Sequence, residues 1–175
     1  MMRNKVLITI AFFIVIVCCS FVKAFSPENS KIQTTFYGCT IAKSTKQDCR
    51  EALHQRDYTP FIDEANVLVL KDVYLGGHSF EFATFDFQNN VFYAIGFMST
   101  DFNNKSDAYA KMMAIHKSLQ RKYNLYKIPG EYTESYGLTD GVSLLLLGIS
   151  KTDRGYFVRL DYSNNKIHDS IEDEF

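Results

Sequence analysis

FDFQNNVFYAI, residues 85–95, sets large apolar residues two apart on both sides of Asn89-Asn90. A period of two is the signature of a strand, and an Asn-Asn pair tolerates the positive φ that a two-residue hairpin turn requires. The stretch therefore predicts two antiparallel strands, SFEFATFDFQ (79–88) and VFYAIGFM (91–98), closed by a tight turn. A similar order of residue types returns in LDYSNNKIHDSI (160–171): apolar, Asp, aromatic, polar, Asn-Asn, then apolar positions. Read in the same way, the second Asn-Asn predicts a second hairpin.

The neighbouring segments extend the pattern in both directions. Ser44, with Gln47 three residues on, forms a capping-box pattern for a helix running through TKQDCREALHQR to about Arg56. NVLVLKDVYL (66–75) reads as a strand ended by Gly76-Gly77. The polar loop 101–106 ends in Ser106, a candidate N-cap. DAYAKMMAIHKSLQRKY (107–123) then sets Ala108, Met112, Ile115, Leu119 and Tyr123 on one stripe of a second helix. EYTESYG (131–137) is a weak strand; GVSLLLLGIS (141–150) and GYFVRLDYS (155–163) are strong ones, and the acidic tail IHDSIEDEF (167–175) is expected to fray into solvent.

The predicted fold class is accordingly α+β: two α-β-β-β units in tandem, about residues 33–98 and 105–171, forming an antiparallel sheet with helices packed on one face. A unit of about 65 residues is too small to bury its own sheet face, so internal duplication is the expected reason for the echo. Independent appearance of a common turn is the alternative.

The N-terminus sets the compartment. Arg3 and Lys5 precede an uncharged run, VLITIAFFIVIVCCSFV, and Val22-Lys23-Ala24 follows with compact residues where a signal peptidase reads. That layout predicts a signal peptide over residues 1–24, cleavage after Ala24, and a single domain over 25–175 in the periplasm or secreted. A retained membrane anchor is the alternative. Lipidation at Cys18 or Cys19 is disfavoured, because Val17 and Cys18 stand where a lipobox wants a small residue. The remaining Cys39 and Cys49, ten apart in an oxidising compartment, are expected to form a disulfide. The alternative places Cys49 with Ala52 and Leu53 as a small core residue on a helix stripe.

FYGCTIAKSTKQDCREAL (36–53) resembles the opening of the small envelope domains typified by BamE, the SmpA/OmlA lipoproteins. The shared features are a Gly, a capping Ser/Thr, and a short helix with a buried mid-helix residue and a Leu, before a three-stranded meander. The beta-lactamase inhibitor protein family is similar to two such units in tandem. The resemblance spans roughly residues 33–98 and, more loosely, 105–171; it implies protein binding or scaffolding rather than catalysis.

Residue chemistry points the same way. A net charge of −1 with no Lys/Arg cluster argues against a nucleic-acid partner. His54, His78, His116 and His168 show no metal-ligand spacing, and no GxSxG, P-loop or GxGxxG occurs, so neither enzyme nor cofactor is expected. Asp63/Glu64 and Glu172/Asp173/Glu174 are adjacent charges of the kind that solvent stabilises.

With Asn89-Asn90 as the turn, Phe85, Phe87, Phe92, Ala94 and Gly96 share one face with Val158, Leu160 and Tyr162. Thr84, Asp86, Tyr93, Ile95 and Phe97 share the other with Phe157, Arg159 and Asp161. Placing the Asp residues in solvent makes the first face the core. The second then becomes the candidate partner-binding surface, built of Tyr93, Phe97, Asp86, Phe157, Arg159 and Asp161. Cover by a loop or a partner subunit is the alternative. The expected function is an exported domain binding another envelope or extracellular protein, as an inhibitor or scaffold. An immunity-type protein neutralising a toxin and a small secreted hydrolase are the alternatives. Membrane contact is expected only through an uncleaved signal segment.

Overall fold

The alternating segments fold into antiparallel strands, described by a computed structural model over residues 31–129 and 134–166, without the Asp101 side chain. A small ribbon, β1 (Thr35–Phe36) and β2 (Cys39–Thr40), precedes helix α1 (Lys46–His54). Strands β3 (Ile62–Glu64), β4 (Val67–Leu75), β5 (His78–Gln88) and β6 (Val91–Phe102) lead to helix α2 (Lys105–Leu119). Strands β7 (Tyr126–Lys127), β8 (Glu134–Thr139), β9 (Ser143–Thr152) and β10 (Gly155–Asn164) follow. The eight strands from β3 onward make one sheet in the order β3-β4-β5-β6-β10-β9-β8-β7, every pairing antiparallel. The two halves of the chain meet along β6 and β10.

This architecture corrects the α+β expectation. Strands hold 51% of the described residues, and the helices are short, so the protein is mostly antiparallel β. Of the core cluster the helices supply Cys49, Leu53, Ala108, Met112 and Ile115, whereas β4, β5, β6, β9 and β10 supply most of the rest. The reason lies in segment length. The strand after Asn89-Asn90 runs past Met98 into the first two positions of the expected loop, ending at Phe102, and β3 and β7 add short edges that carry no strong period-two signal.

The first Asn-Asn behaves as its chemistry requires: Asn89 and Asn90 have φ of 49° and 64°, and Gln88 pairs with Val91 across the turn. The second does not. Asn164 still pairs with Ser143 in β10, and the Asn165 backbone N–H donates to the Val142 carbonyl at 2.8 Å. The hairpin before β10 is closed instead at Asp153-Arg154, with Gly155 at φ 133°. The sequence echo is therefore not an echo of turn geometry.

Both helix caps shift from the expected positions by one or two residues. Thr45 caps α1, its hydroxyl accepting from the Asp48 N–H while Asp48 accepts from the Thr45 N–H, a complete capping box. Asn104 caps α2 by accepting from the Asp107 N–H at 2.9 Å. Cys39 and Cys49 are buried free thiols, which corrects the expected disulfide. The Cys39 thiol donates to the Cys49 carbonyl at 3.9 Å, and the Cys39 side chain together with burial pushes the Cys49 thiol up. Both act as small core residues. The signal segment 1–24 and the acidic tail 167–175 lie outside the described residues.

Candidate partner-binding site on the outer sheet face

Strand β5 places Ala83, Phe85 and Phe87 in the core and so turns Thr84 and Asp86 to the outer face. Strand β6 starts in the matching phase, Phe92 opposite Phe87. Its register then slips: Asp86 pairs with Ala94, so Tyr93 is an extra residue, a β-bulge. A single extra residue inverts the phase of everything after it. Ile95 and Phe97 consequently point into the core, both fully buried, while Ala94 and Gly96 fall on the outer face.

This overturns the expected placement of Phe97, which is not a surface residue but packs against Phe80, with ring centroids 5.4 Å apart, and against Phe36 at 5.9 Å. Ile95, Ala94 and Gly96 change faces for the same reason. The signal was present in the sequence: Gly96 inside a strand marks a bulge or a close approach, and burying Ile95 and Phe97 rather than Ala94 and Gly96 hides more apolar surface.

Strand β10 keeps the expected phase. Val158, Leu160 and Tyr162 are buried, while Phe157, Arg159 and Asp161 lie on the outer face, each only partly exposed. Asp161 pairs with Gly96, which in turn pairs with Thr84, so the three form one row across β10, β6 and β5. The missing side chain of Gly96 is what lets the Asp161 carboxylate settle there. A Cβ at this position would stand 2.6 Å from Asp161 Oδ1, 3.1 Å from Thr84 Oγ1 and 3.2 Å from an Arg159 terminal nitrogen.

Arg159 Nε donates to Asp161 Oδ1 at 2.7 Å, and only 19% of the Asp161 side chain remains exposed. Burial pushes the Asp161 carboxyl up to about 6; Arg159 opposes that rise and Asp86 adds to it. Asp86 is also raised by burial, with Arg159 again opposing. Tyr93 is raised by burial and by Asp86. Asp86, Tyr93, Arg159 and Asp161 therefore form one electrostatically coupled group at the centre of the sheet. The structure brings together four of the six expected site residues, sets Phe157 along the same strand, and removes Phe97.

Other charged groups have separate roles. Arg50 grips Asp63 through Nε and a terminal nitrogen at 2.7 and 2.6 Å, and buried Lys46 reaches Asp63 at 2.8 Å and donates to the Glu64 carbonyl. These contacts tie α1 to β3 and hold the Asp63 carboxyl well below the usual carboxylate range, so Asp63 is a structural anchor rather than a freely solvated charge. His116 is buried against the Tyr136 ring, centroids 4.1 Å apart, and burial pushes its pKa down. No group of His, Cys, Asp and Glu among the described residues is placed to hold a metal ion. No helix among them is long and apolar enough to cross a membrane.

No protein-family model matches the chain, and neither the curated proteins nor the solved structures give a significant match.

Proposed function

We propose that the chain is an exported protein-binding domain that docks an envelope or extracellular partner on the outer face of β5, β6 and β10. The observation that carries this reading is the coupled group of Asp86, Tyr93, Arg159 and Asp161. It joins two partly desolvated carboxylates to one guanidinium, beside aromatic residues of the type that dominate interfaces. Two acids against one base leave a negative excess, which suits a partner with a basic side chain. The resemblance of residues 36–53 to envelope binding domains points the same way.

The test is quantitative capture from the native envelope by the wild-type chain and by Tyr93→Ala and Phe157→Ala. A partner held by wild type and released by both variants supports the surface, provided thermal melting shows both variants folded. Equal capture by all three removes the outer face from the function.

A further inference from the structure

On the opposite side of the sheet, a cavity of about 190 Å³ opens between the last turn of α2 and the inner face. Its walls are apolar: Leu75 and Phe80 from the β4–β5 hairpin, Ile115 and Leu119 from α2, Leu160 from β10. A cavity of about 150 Å³ with such walls holds benzene, so this one has room for a single ring or a short alkyl chain.

Its phenol groups keep donor capacity to spare. Tyr162 lines the cavity, is 2% exposed, and its hydroxyl makes no hydrogen bond to any described residue. Burial, and Tyr123 beside it, raise its pKa. The Tyr123 hydroxyl accepts from the Gln33 backbone N–H at 3.0 Å, which leaves its own proton without an acceptor among the described residues. Lys122, also lining the cavity, holds its Nζ 5.1 Å from the Tyr123 ring centre and has no carboxylate partner among the described residues. Two phenol donors and a cation thus stand together beside an apolar chamber.

His78 and Ser118 at the rim are already paired, Nε2 to Oγ at 2.8 Å. Ser118 donates its own proton to the Ala114 carbonyl at 3.2 Å, so His78 is the donor in this pair and does not activate the hydroxyl. The rim is therefore set up for binding rather than nucleophilic attack.

We infer that this cavity binds a small amphipathic monocarboxylate, with its hydrocarbon part against Leu75, Phe80, Ile115 and Leu119. Its carboxylate accepts from the hydroxyls of Tyr162 and Tyr123 and faces Lys122. The site lies on the side of the sheet away from the proposed partner surface, so the two readings stand or fall separately.

Hexanoate, with about eight non-hydrogen atoms, fits the space and should bind with a Kd of about 1 mM or tighter. Titration calorimetry on the purified protein should show hexanoate binding and at least about fivefold weaker binding of hexan-1-ol, which lacks the charge. Tyr162→Phe keeps the ring and removes only the hydroxyl; it should weaken hexanoate about five- to tenfold. Lys122→Ala, at an exposed position, should weaken hexanoate and leave hexan-1-ol unchanged. Thermal melting establishes that each variant is folded. Absence of hexanoate binding at 10 times the expected Kd, equal affinity for acid and alcohol, or undiminished binding by folded Tyr162→Phe would overturn the proposal. The last outcome would mean that the hydroxyl is served by water alone.

Discussion

The hairpins β5–β6 and β9–β10 occupy mirror positions on either side of the β6–β10 seam, yet they obey the period-two rule differently. In β9–β10 the register runs unbroken from Gly155 opposite Thr152 to Asn164 opposite Ser143. In β5–β6 it slips by one residue at Tyr93. Their cores differ too: Phe80, Phe85, Phe87, Phe92 and Phe97 fill the first, and Leu145, Leu147, Ile149, Val158 and Leu160 the second. The contrast teaches that a charged residue in one hairpin can have its environment set by a bulge in the other. Asp161 comes from the regular hairpin, but its low exposure depends on Gly96, which only the bulge turns outward.

Four measurements break or sharpen that contrast. The largest effect is expected at the residue the bulge inverts. Phe97→Ala should cost about 3–5 kcal/mol in urea melts, as a fully buried aromatic does, and Leu160→Ala on the regular side about 2–5 kcal/mol. A tolerated Phe97→Ala would mean that β6 keeps its starting phase and the bulge is misplaced.

Next in size is Arg159→Ala, which leaves Asp161 without its donor on a face that is only partly wet. A loss of about 1–2 kcal/mol is expected at pH 7. The loss should shrink at pH 5, where Asp161 takes up a proton. A loss that does not change with pH would uncouple the pair.

A smaller effect carries a definite sign. The Asp161 carboxyl sits at about 6 in the folded chain against an ordinary 3.8, so the folded state holds this proton more tightly. Its stabilising contribution is complete below about pH 4 and is lost as pH rises through about 6. The melting temperature of Asp161→Asn minus that of wild type should therefore climb between pH 4 and pH 7. A flat difference would place Asp161 in full solvent.

The smallest change is expected at the bulge itself. Tyr93→Ala, at a partly exposed side chain, should alter stability by less than about 1 kcal/mol. Unfolding of this variant would make Tyr93 a core residue.

Much of the fold was legible where local chemistry dictates geometry. Asn89-Asn90 gave its turn, Gly76-Gly77 its break, and the alternation of Val158, Arg159, Leu160, Asp161 and Tyr162 gave the correct faces of β10. What escaped was non-local. A bulge is decided by whether Ile95 and Phe97 gain more from burial than the ladder loses by one unpaired residue, and that balance depends on the facing strands. The same holds for the second Asn-Asn, whose residue types permit a turn but whose neighbours keep it in register with β9. Cys39 and Cys49 carried a compartment argument for a bridge, whereas their packing makes them core thiols. Of the candidate site, five residues were placed on the right face and Phe97 was lost to the inverted phase.

The seam between β6 and β10 has a consequence for how the chain folds. The long strands on either side of it pair with neighbours reached through short turns, but Gly96 meets Asp161 at a separation of 65 positions in the sequence. Closing so long a loop costs more chain entropy than forming a hairpin, and non-local pairings of this kind govern how slowly a β protein folds. The two hairpins can form early and separately, and the seam joins them late. Asp86 and Tyr93 arrive with the first hairpin, Arg159 and Asp161 with the second. The charged group on the outer face is therefore complete only once the seam has formed, so a partner that reads it would recognise chains with the seam closed and pass over those without it.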